Sequence, residues 1–427
     1  MNTRGVLGEF VAHCESTAFS SQPFLALAAA ICAIGALAGR RYRTRTDLRT
    51  NLYAIGVADS GGGKDHARGM VRKILYAAGL DRYLGGSKIA SGAGLLSALG
   101  RHPSMLFQID EAGMWLQSIL GLKAATHQRE IWANLTELYT SANGPFGGTE
   151  YANQRENQRV VIHQPNACLY GTTVPGEFWA ALESGALQNG SMARFLVFLS
   201  PCSYPDTPMP EMQDIPHSLI EGFQAIAAGV PGHDGGGNLA ALMTAQADIE
   251  PYTAPETADA AKALTALRAE ELAWKRQAEG TYATALIARF LENAYKLALV
   301  RAVSRCPEAP VIGAADVEWG RALARHCIDT LMREGGRYVA DSDYERKLNK
   351  ALHLIRKWGP ATQRDLIRRG FKLPERERAE IFRTLLESGQ IQGIEHSGGA
   401  NGGWKTIRYH AIGGDADSIP SGETDDE

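Results

Sequence analysis

The sequence predicts an α/β protein whose mostly parallel sheet is followed by a helical subdomain and a small basic module. Short apolar runs alternate with helical patterns from 51 to 200, helical patterns dominate 257–340, and positive charge concentrates between 344 and 410. The chain has 427 residues, of which 44% are hydrophobic and 21% are charged. This length fits two or more domains, and this composition excludes a fibrous or wholly disordered protein.

The first predicted element is a helix over the apolar run from Pro23 to Gly39, inside a helical N-terminal segment of residues 1–50. The run is shorter than a typical membrane-spanning helix and is rich in Ala and Gly. Its arginines follow it rather than precede it, which does not fit a secretory signal. The 6 cysteines stand apart, without the spacing of a metal site. We expect a buried helix in a cytoplasmic protein with no membrane partner, a membrane anchor or a signal being the alternative.

A series of predicted strands and helices follows. The apolar runs that predict strands are 52–58, 105–109, 160–163, 167–173 and 194–200. Helical patterns cover 64–80 and 131–141, so consecutive strands are joined by crossovers and their carboxyl ends meet at one edge. The predicted domains are a core at 51–200, an irregular Pro- and Gly-rich connection at 201–256, and a helical lid subdomain at 257–340.

A glycine-rich loop, Ala58-Asp-Ser-Gly-Gly-Gly-Lys64-Asp65, lies between the first predicted strand and a helix. It matches the Walker A phosphate-binding pattern except at the last position. Glycines let consecutive backbone N–H groups face the β-phosphate, while the helix N-terminus and the lysine add positive charge. The alternative is an ordinary glycine turn before a helix. The predicted nucleotide-binding residues are Ala58, Ser60, Gly61, Gly62, Gly63, Lys64 and Asp65.

Asp65 departs from the pattern, because Ser or Thr normally binds Mg²⁺ at this position. A carboxylate is a suitable ligand for a hard cation, but it adds negative charge beside the phosphates. We predict ATP and Mg²⁺ as cofactors with Asp65 as one metal ligand. The alternatives that stay open are an altered nucleotide affinity or metal preference and a weakened ATPase.

An acidic pair ends the predicted strand at 105–109. Asp110 would bind hydrated Mg²⁺, and Glu111 would polarise the attacking water. The pair follows the glycine loop across one crossover unit, which makes it more specific than an isolated Asp-Glu. A third polar group is expected near the end of the strand at 167–173. There Thr172 contacts the γ-phosphate or, equally well, is an ordinary strand-end threonine.

The order of these motifs resembles the AAA+-type P-loop ATPases of phage, plasmid and satellite-island primase–helicases, a family related in layout to the MCM replicative helicases. The resemblance spans roughly 20–335. The matching stretches are Gly39-Arg40-Arg41, DSGGGKD, FQIDEAG, LTELYTSANG, PNACLYGTTVPGEFWAAL, NGSMARFLVF and ARFLENAYKLALVRA.

This resemblance implies roles that spacing alone does not give. Arg194 would reach into the nucleotide site of a neighbouring subunit, and Arg289 would be the second-sensor arginine that reads the γ-phosphate. It also implies a homo-oligomeric ring, as a hexamer. The alternative for Arg194 is a surface arginine at the start of a strand. The alternative for Arg289 is an ordinary arginine on a helix face.

The total charge of −3 conceals a basic C-terminal module. Between Tyr344 and His410 there are 14 Lys or Arg and 7 Asp or Glu, whereas 413–427 has six acids and no base. Helical patterns at 344–358, 362–369 and 374–387, then a hairpin, predict a winged helix-turn-helix DNA-binding domain at 341–412 before an acidic disordered tail at 413–427. A protein-docking module is the alternative. The predicted DNA contacts are Arg376, Arg378, Arg383, Lys405 and Arg408.

These features together predict an ATP-dependent DNA helicase or replication initiator of a mobile element, acting on single-stranded DNA or an origin duplex. A separate primase or polymerase is an expected partner, because residues 1–50 are too few for a primase domain. The alternative function is a nucleotide-responsive helicase loader or initiator with weak or no ATP hydrolysis.

Overall fold

The structure is a computed structural model that describes residues 5–121, 124–148, 161–182, 190–202, 204–206, 209–233, 244–245, 247–335, 343–396 and 406–412. The chain divides into two compact units, residues 1–335 and residues 336–427. The predicted core and the predicted helical subdomain therefore share one unit. Lys405 and the acidic tail at 413–427 lie outside the described residues.

The first unit contains both helices and strands. Its described helices are α1 (Val6–Thr17), α2 (Pro23–Ala38), α3 (Lys64–Ala77), α4 (Gly92–Arg101), α5 (Ala112–Leu120), α6 (Thr126–Thr140), α7 (Pro175–Leu182), α8 (His217–Ala228), α9 (Ala258–Gln277), α10 (Ala283–Ile287), α11 (Phe290–Arg305) and α12 (Ala314–Gly335). Its described strands are β1 (Tyr42–Arg43), β2 (Tyr53–Val57), β3 (Ser104–Ile109), β4 (Pro145–Phe146), β5 (Ile162–His163), β6 (Asn166–Thr173), β7 (Phe195–Leu199) and β8 (Tyr252–Thr253).

A parallel sheet with the strand order β3-β6-β2-β7 forms the centre of this unit. Val57 at the end of β2 lies opposite Thr173 and Leu199, and Ile109 at the end of β3 lies opposite Gly171. β2, β3 and β6 are buried along their whole length, as strands covered on both faces are. The carboxyl ends of these strands thus meet at one edge of the sheet, which is a mixed α/β arrangement of the predicted class.

The apolar run at 23–39 forms α2, which begins with Pro23 at its first turn and is buried from Leu25 to Ala38. An all-apolar helix has no polar face to turn towards water, so it packs on the sheet from within the unit. Tyr170 on β6 donates a hydrogen bond to the Leu25 carbonyl at 3.1 Å. Among the described residues, no helix is both long and apolar enough to cross a membrane.

One predicted strand differs from its prediction. The run at 160–163 was expected to continue the main sheet, but Ile162 and His163 pair antiparallel with Pro145 and Phe146 outside it. The reason is local, because Gln164 adopts a positive φ of 51° and a proline follows. The chain therefore turns before it enters β6, and of the described residues of the run, 161–163, the last two are strand.

The helices after β8 are held by buried polar contacts. Thr257 caps α9 by accepting a hydrogen bond from the Ala260 N–H at 3.1 Å. α11 is buried over most of its length. Asp316 on α12 is almost wholly buried and pairs with Arg301 at 3.0 Å and Arg305 at 2.7 Å, which fixes α11 against α12.

The second unit contains three described helices and an antiparallel hairpin. The helices are α13 (Asp343–Trp358), α14 (Gln363–Arg368) and α15 (Glu375–Glu387), and the strands are β9 (Ile391–His396) and β10 (Thr406–Ala411). Thr362 and Asp365 cap α14 reciprocally. An apolar core joins all three helices to the hairpin through Ala351, Leu352, Ile355, Leu366, Phe371, Ile381, Phe382, Leu385, Ile391 and Tyr409.

Candidate active site

The glycine-rich loop connects the end of β2 to the start of α3, with Lys64 as the first helical residue. Gly61 and Gly63 have φ values of 76° and 77°, which residues with a side chain rarely adopt. A side chain at Gly63 would also collide with the Ser20 carbonyl. The loop conformation therefore depends on glycine, and it presents the N-terminus of α3 at the edge of the sheet.

Lys64 is 7% exposed, and its ammonium has no hydrogen-bond or ion-pair partner within the described part of the chain. Asp110 and Glu111 lie close enough for Lys64 to lower the pKa of their carboxyl groups, but neither contacts it directly. A buried ammonium without a direct polar contact is costly unless a ligand supplies one. Its location between a helix N-terminus and a glycine loop is where a phosphate would lie. The geometry around Lys64 is thus that of an anion-binding site.

The acidic pair lies at the same edge, immediately after β3. Asp110 accepts a hydrogen bond from the Glu111 N–H at 3.0 Å, and its side chain is about half exposed. Partial burial opposes its ionisation, but the hydrogen bond and charge of Arg68 outweigh this and lower the pKa of the Asp110 carboxyl. Asp110 therefore stays ionised, and its hard oxygens fit the Mg²⁺ that the sequence predicts.

Glu111 adopts a left-handed backbone conformation with a φ of 48°, a strained conformation of the kind that persists mainly at functional sites. Partial burial raises the pKa of its carboxyl, and the neighbouring Glu177, Asp110 and Asp65 raise it further while Lys64 opposes them. The result is a carboxylate that accepts a proton more readily than an ordinary glutamate.

β6, with Thr172 near its end, lies between the glycine-loop strand and the strand of the acidic pair. Thr172 is fully buried, and its hydroxyl has no hydrogen-bond partner in the described structure. The hydroxyl of Thr173 instead accepts a hydrogen bond from the Gly113 N–H at 3.0 Å and so fixes the start of α5. Both interpretations of Thr172 stay open, because nothing in the described contacts engages its hydroxyl.

The structure adds Arg68, which sequence reasoning missed. Its Nη2 lies 2.8 Å from Asp65 Oδ1 and 2.8 Å from Asp110 Oδ2. The spacing of Asp65 and Arg68 on one helix face is visible in the sequence. The contact with Asp110 is not, since it depends on how α3 packs against β3.

Tyr204 is a second residue that the sequence did not single out. Its hydroxyl donates to the Ser60 carbonyl at 2.7 Å, and its ring lies next to Gly61. Gln22, beside the loop-contacting Ser20, accepts a hydrogen bond from Ser200 at 2.6 Å. Ser20 and Tyr204 thus both pack against the glycine loop.

Arg194 and Arg289 lie together at the other end of the sheet. Arg194 precedes β7, whose first residue pairs with the first residue of β2. Asn293 on α11 donates to the Ala193 carbonyl at 2.9 Å, and Arg289 pairs with Glu292 at 2.7 Å. Burial, and then the positive charge of Arg289, lower the pKa of Arg194. The structure therefore brings the two arginines near each other but not near the glycine loop.

No group of three or more His, Cys, Asp or Glu side chains within the described ranges is arranged to bind a metal ion. The cysteines are free thiols, with Cys14, Cys32, Cys168 and Cys327 buried. A metal at this edge would thus depend on Asp110 together with a ligand's own oxygens.

In the second unit, Arg376 and Arg383 on α15 and Arg408 on β10 are exposed. Arg378 differs from this group. It is half-buried, its guanidinium donates to the Leu373 carbonyl, and its Nε has no hydrogen-bond partner within the described residues. Arg378 is therefore hydrogen-bonded to a residue just before the start of α15, and its predicted contact with DNA stays a prediction.

No protein-family model matches the sequence, and no curated protein matches it. Among solved structures, the chain is similar to a full-length MCM homolog from Methanopyrus kandleri, with 15% identity and a TM-score of 0.39. That match covers 76% of this chain and 61% of the MCM homolog, so the chain spans less than two thirds of that protein. It is also similar to the Aeropyrum pernix ORC1 protein in complex with DNA, with 15% identity, a TM-score of 0.20, and 84% and 83% of the two chains covered.

Proposed function

We propose that the chain is a P-loop ATPase of the AAA+ type that hydrolyses Mg-ATP to act on DNA, as a helicase or replication initiator. The observation that carries this proposal is the unpaired, buried Lys64 at the N-terminus of α3. It lies close enough to Asp110 and Glu111, at the carboxyl edge of a parallel sheet, to lower the pKa of both carboxyl groups. A buried cation, a glycine loop and two acids at one edge are the parts that phosphoryl transfer to water requires.

Each group has a distinct task in this proposal. The loop and Lys64 bind and orient the β- and γ-phosphates, while Asp110 would hold the Mg²⁺. When bound, Mg²⁺ neutralises charge on the phosphate oxygens. Glu111 accepts the proton of the attacking water, and its raised pKa suits that task. Thr172 would orient the γ-phosphate from the intervening strand.

Arg194 and Arg289 support an oligomeric enzyme. They lie at the end of the sheet opposite to the glycine loop, so they would act on the site of an adjacent copy. A guanidinium supplied across a subunit interface accelerates phosphoryl transfer by about 10³–10⁵-fold. We propose a ring of identical subunits, as a hexamer, in which both arginines face the neighbouring nucleotide.

The second unit supports an action on DNA. Three helices followed by a hairpin, with exposed Arg376, Arg383 and Arg408, fit a winged helix-turn-helix in which α15 enters the major groove. The phosphate backbone attracts such a cluster of positive charge without regard to sequence. A mobile-element context and a separate primase partner rest on the resemblance of the motifs.

The test is steady-state ATP hydrolysis by the purified full chain, with and without single-stranded DNA. Lys64→Ala and Glu111→Gln should each abolish turnover, whereas Lys73→Ala, which removes an exposed lysine from the same helix, should not. Wild-type turnover in either site variant would refute the assignment.

Asp65 favours a second candidate function. Its carboxylate is paired with Arg68, which supports a nucleotide-responsive loader or initiator that binds ATP but hydrolyses it slowly. ATP-dependent assembly, measured as particle mass, together with negligible turnover with or without DNA, would favour this function over the motor.

A further inference from the structure

We propose that Arg68 is a resident cation of the nucleotide site, which occupies the space between Asp65 and Asp110 and lets ATP bind with little dependence on Mg²⁺. This inference rests on the proposed nucleotide-binding function and deepens it. It assigns a partner to the aspartate that replaces the usual hydroxyl, and it concerns how the triphosphate is held rather than how it is cleaved.

The first support is geometric. A single nitrogen, Nη2 of Arg68, lies 2.8 Å from Asp65 Oδ1 and 2.8 Å from Asp110 Oδ2. These two oxygens are therefore at most twice 2.8 Å apart. A magnesium ion bound directly to both would need them within about 4.2 Å of each other, since Mg–O distances are about 2.1 Å. Such an ion would take the place of the nitrogen, so Arg68 and a metal bridging these oxygens exclude one another.

The second support is that the Arg68 side chain is buried and that its described contacts are the two carboxylates. Arg68 is 9% exposed, and its backbone carbonyl accepts a hydrogen bond from Gln108 on β3 at 3.1 Å. Its Nε is buried and has no hydrogen-bond partner among the described residues. The described contacts of the guanidinium are thus the two carboxylates, and its charge is permanent because arginine does not deprotonate in proteins.

The third support is the charge balance of the site. The usual pattern places one lysine and two acids around the phosphates, with a neutral hydroxyl at the position of Asp65. Here Asp65 adds one negative charge and Arg68 adds one positive charge. Without Arg68, three carboxylates would face an anionic triphosphate with Lys64 as the counter-charge. Arg68 therefore offsets the negative charge that Asp65 adds.

The experiment is ATP binding to the full chain, measured by isothermal titration calorimetry in Mg²⁺ and in EDTA. We expect wild-type affinity to fall less than tenfold when EDTA replaces Mg²⁺. Arg68→Gln should lose at least a further tenfold in EDTA and recover in Mg²⁺, and Arg68→Lys should fall between the two. The double variant Asp65→Ser with Arg68→Gln should bind more tightly in EDTA than Arg68→Gln alone.

Arg72→Gln is the matched control, because it removes an exposed arginine one turn further along α3 and should leave both affinities unchanged. If the wild type binds ATP only with Mg²⁺ and Arg68→Gln behaves identically, this inference fails and the proposed function stands. If the folded wild type binds no ATP in either buffer, the proposed function fails as well. If circular dichroism shows that Arg68→Gln is unfolded, two measurements still test the inference. These are the ratio of the wild-type ATP affinities in Mg²⁺ and in EDTA, and the same ratio for Arg68→Lys.

Discussion

Arg194 and Lys64 lie at opposite ends of the sheet in the first unit. The residue after Arg194 pairs with Tyr53 at the start of β2, whereas Lys64 follows the loop at the end of β2. The strand between these ends has 5 residues, and it spans roughly 16 Å at about 3.3 Å per residue. An arginine at this position therefore acts on a nucleotide only if another copy of the chain presents one.

We expect Arg194→Ala to bind ATP like the wild type and to lose about 10³-fold or more in turnover. The reason is that its guanidinium would stabilise charge in the transition state of a neighbour's site without contacting its own nucleotide. Calorimetry of ATP binding and phosphate release at saturating ATP measure the two effects separately.

Mixing two inactive variants tests directly whether Arg194 acts on the site of a neighbouring subunit. A mixture of Arg194→Ala and Lys64→Ala should recover part of the lost turnover, because some interfaces then join an intact loop to an intact arginine. Arg101→Ala removes an exposed arginine elsewhere in the unit and should keep wild-type activity. An absence of recovery on mixing would contradict action across an interface.

The pH dependence of turnover should report Glu111. A general base is active when ionised, so activity falls on acidification through its pKa. Burial and neighbouring carboxylates raise this pKa, so the acidic limb should lie above that of an ordinary glutamate. Glu177→Gln removes one neighbouring charge and should shift the limb to lower pH. Glu137→Gln, at an exposed position of α6, is the control. If the acidic limb of the pH profile lies at the same pH in both variants, Glu177 does not raise the pKa of Glu111.

The conformation of the glycine loop predicts opposite effects at two nearby glycines. Gly63→Ala forces a side chain into a positive φ against Ser20, so we expect it to abolish ATP binding. Gly69 lies within α3 with no atom near its missing side chain, and Gly69→Ala should stabilise the protein by about 1 kcal/mol. Thermal unfolding and ATP titration of both variants measure these effects. Tight ATP binding by Gly63→Ala would show that the loop tolerates a side chain.

The sequence was sufficient for the features set by local pattern. The apolar strands, the glycine loop and the acids after β3 follow from composition and spacing, and the structure has Lys64, Asp110 and Glu111 at one sheet edge. Features that depend on tertiary packing were not accessible. The contact of Arg68 with Asp110 needs α3 to pack on β3, and the turn at Gln164 overrides a short apolar run.

Arg378 shows the same limit in the second unit. Its position among other arginines on α15 predicts a DNA contact, whereas its hydrogen bond to the Leu373 carbonyl, which the sequence did not reveal, indicates a structural role as well. We therefore expect Arg378→Ala to lower the thermal stability of this unit. We expect Arg383→Ala and Arg408→Ala to weaken DNA binding instead, each reducing the slope of log affinity against log salt by about 0.7–0.9. Equal salt slopes for all three variants would contradict this division.

Lys296 provides a stability prediction that does not depend on nucleotide. It is fully buried beside Glu292 at 3.1 Å, and burial, partly offset by Glu292, lowers its pKa from 10.5 to about 8. Between these values the unfolded chain retains a proton that the folded chain has lost, so this group's contribution to the free energy of unfolding rises with pH. Lys296→Met removes the titration, so the stability difference between wild type and variant should grow in favour of the wild type from about pH 8 to 10.5. Urea unfolding of both proteins at several pH values measures this difference, and a constant difference would show that Lys296 titrates normally.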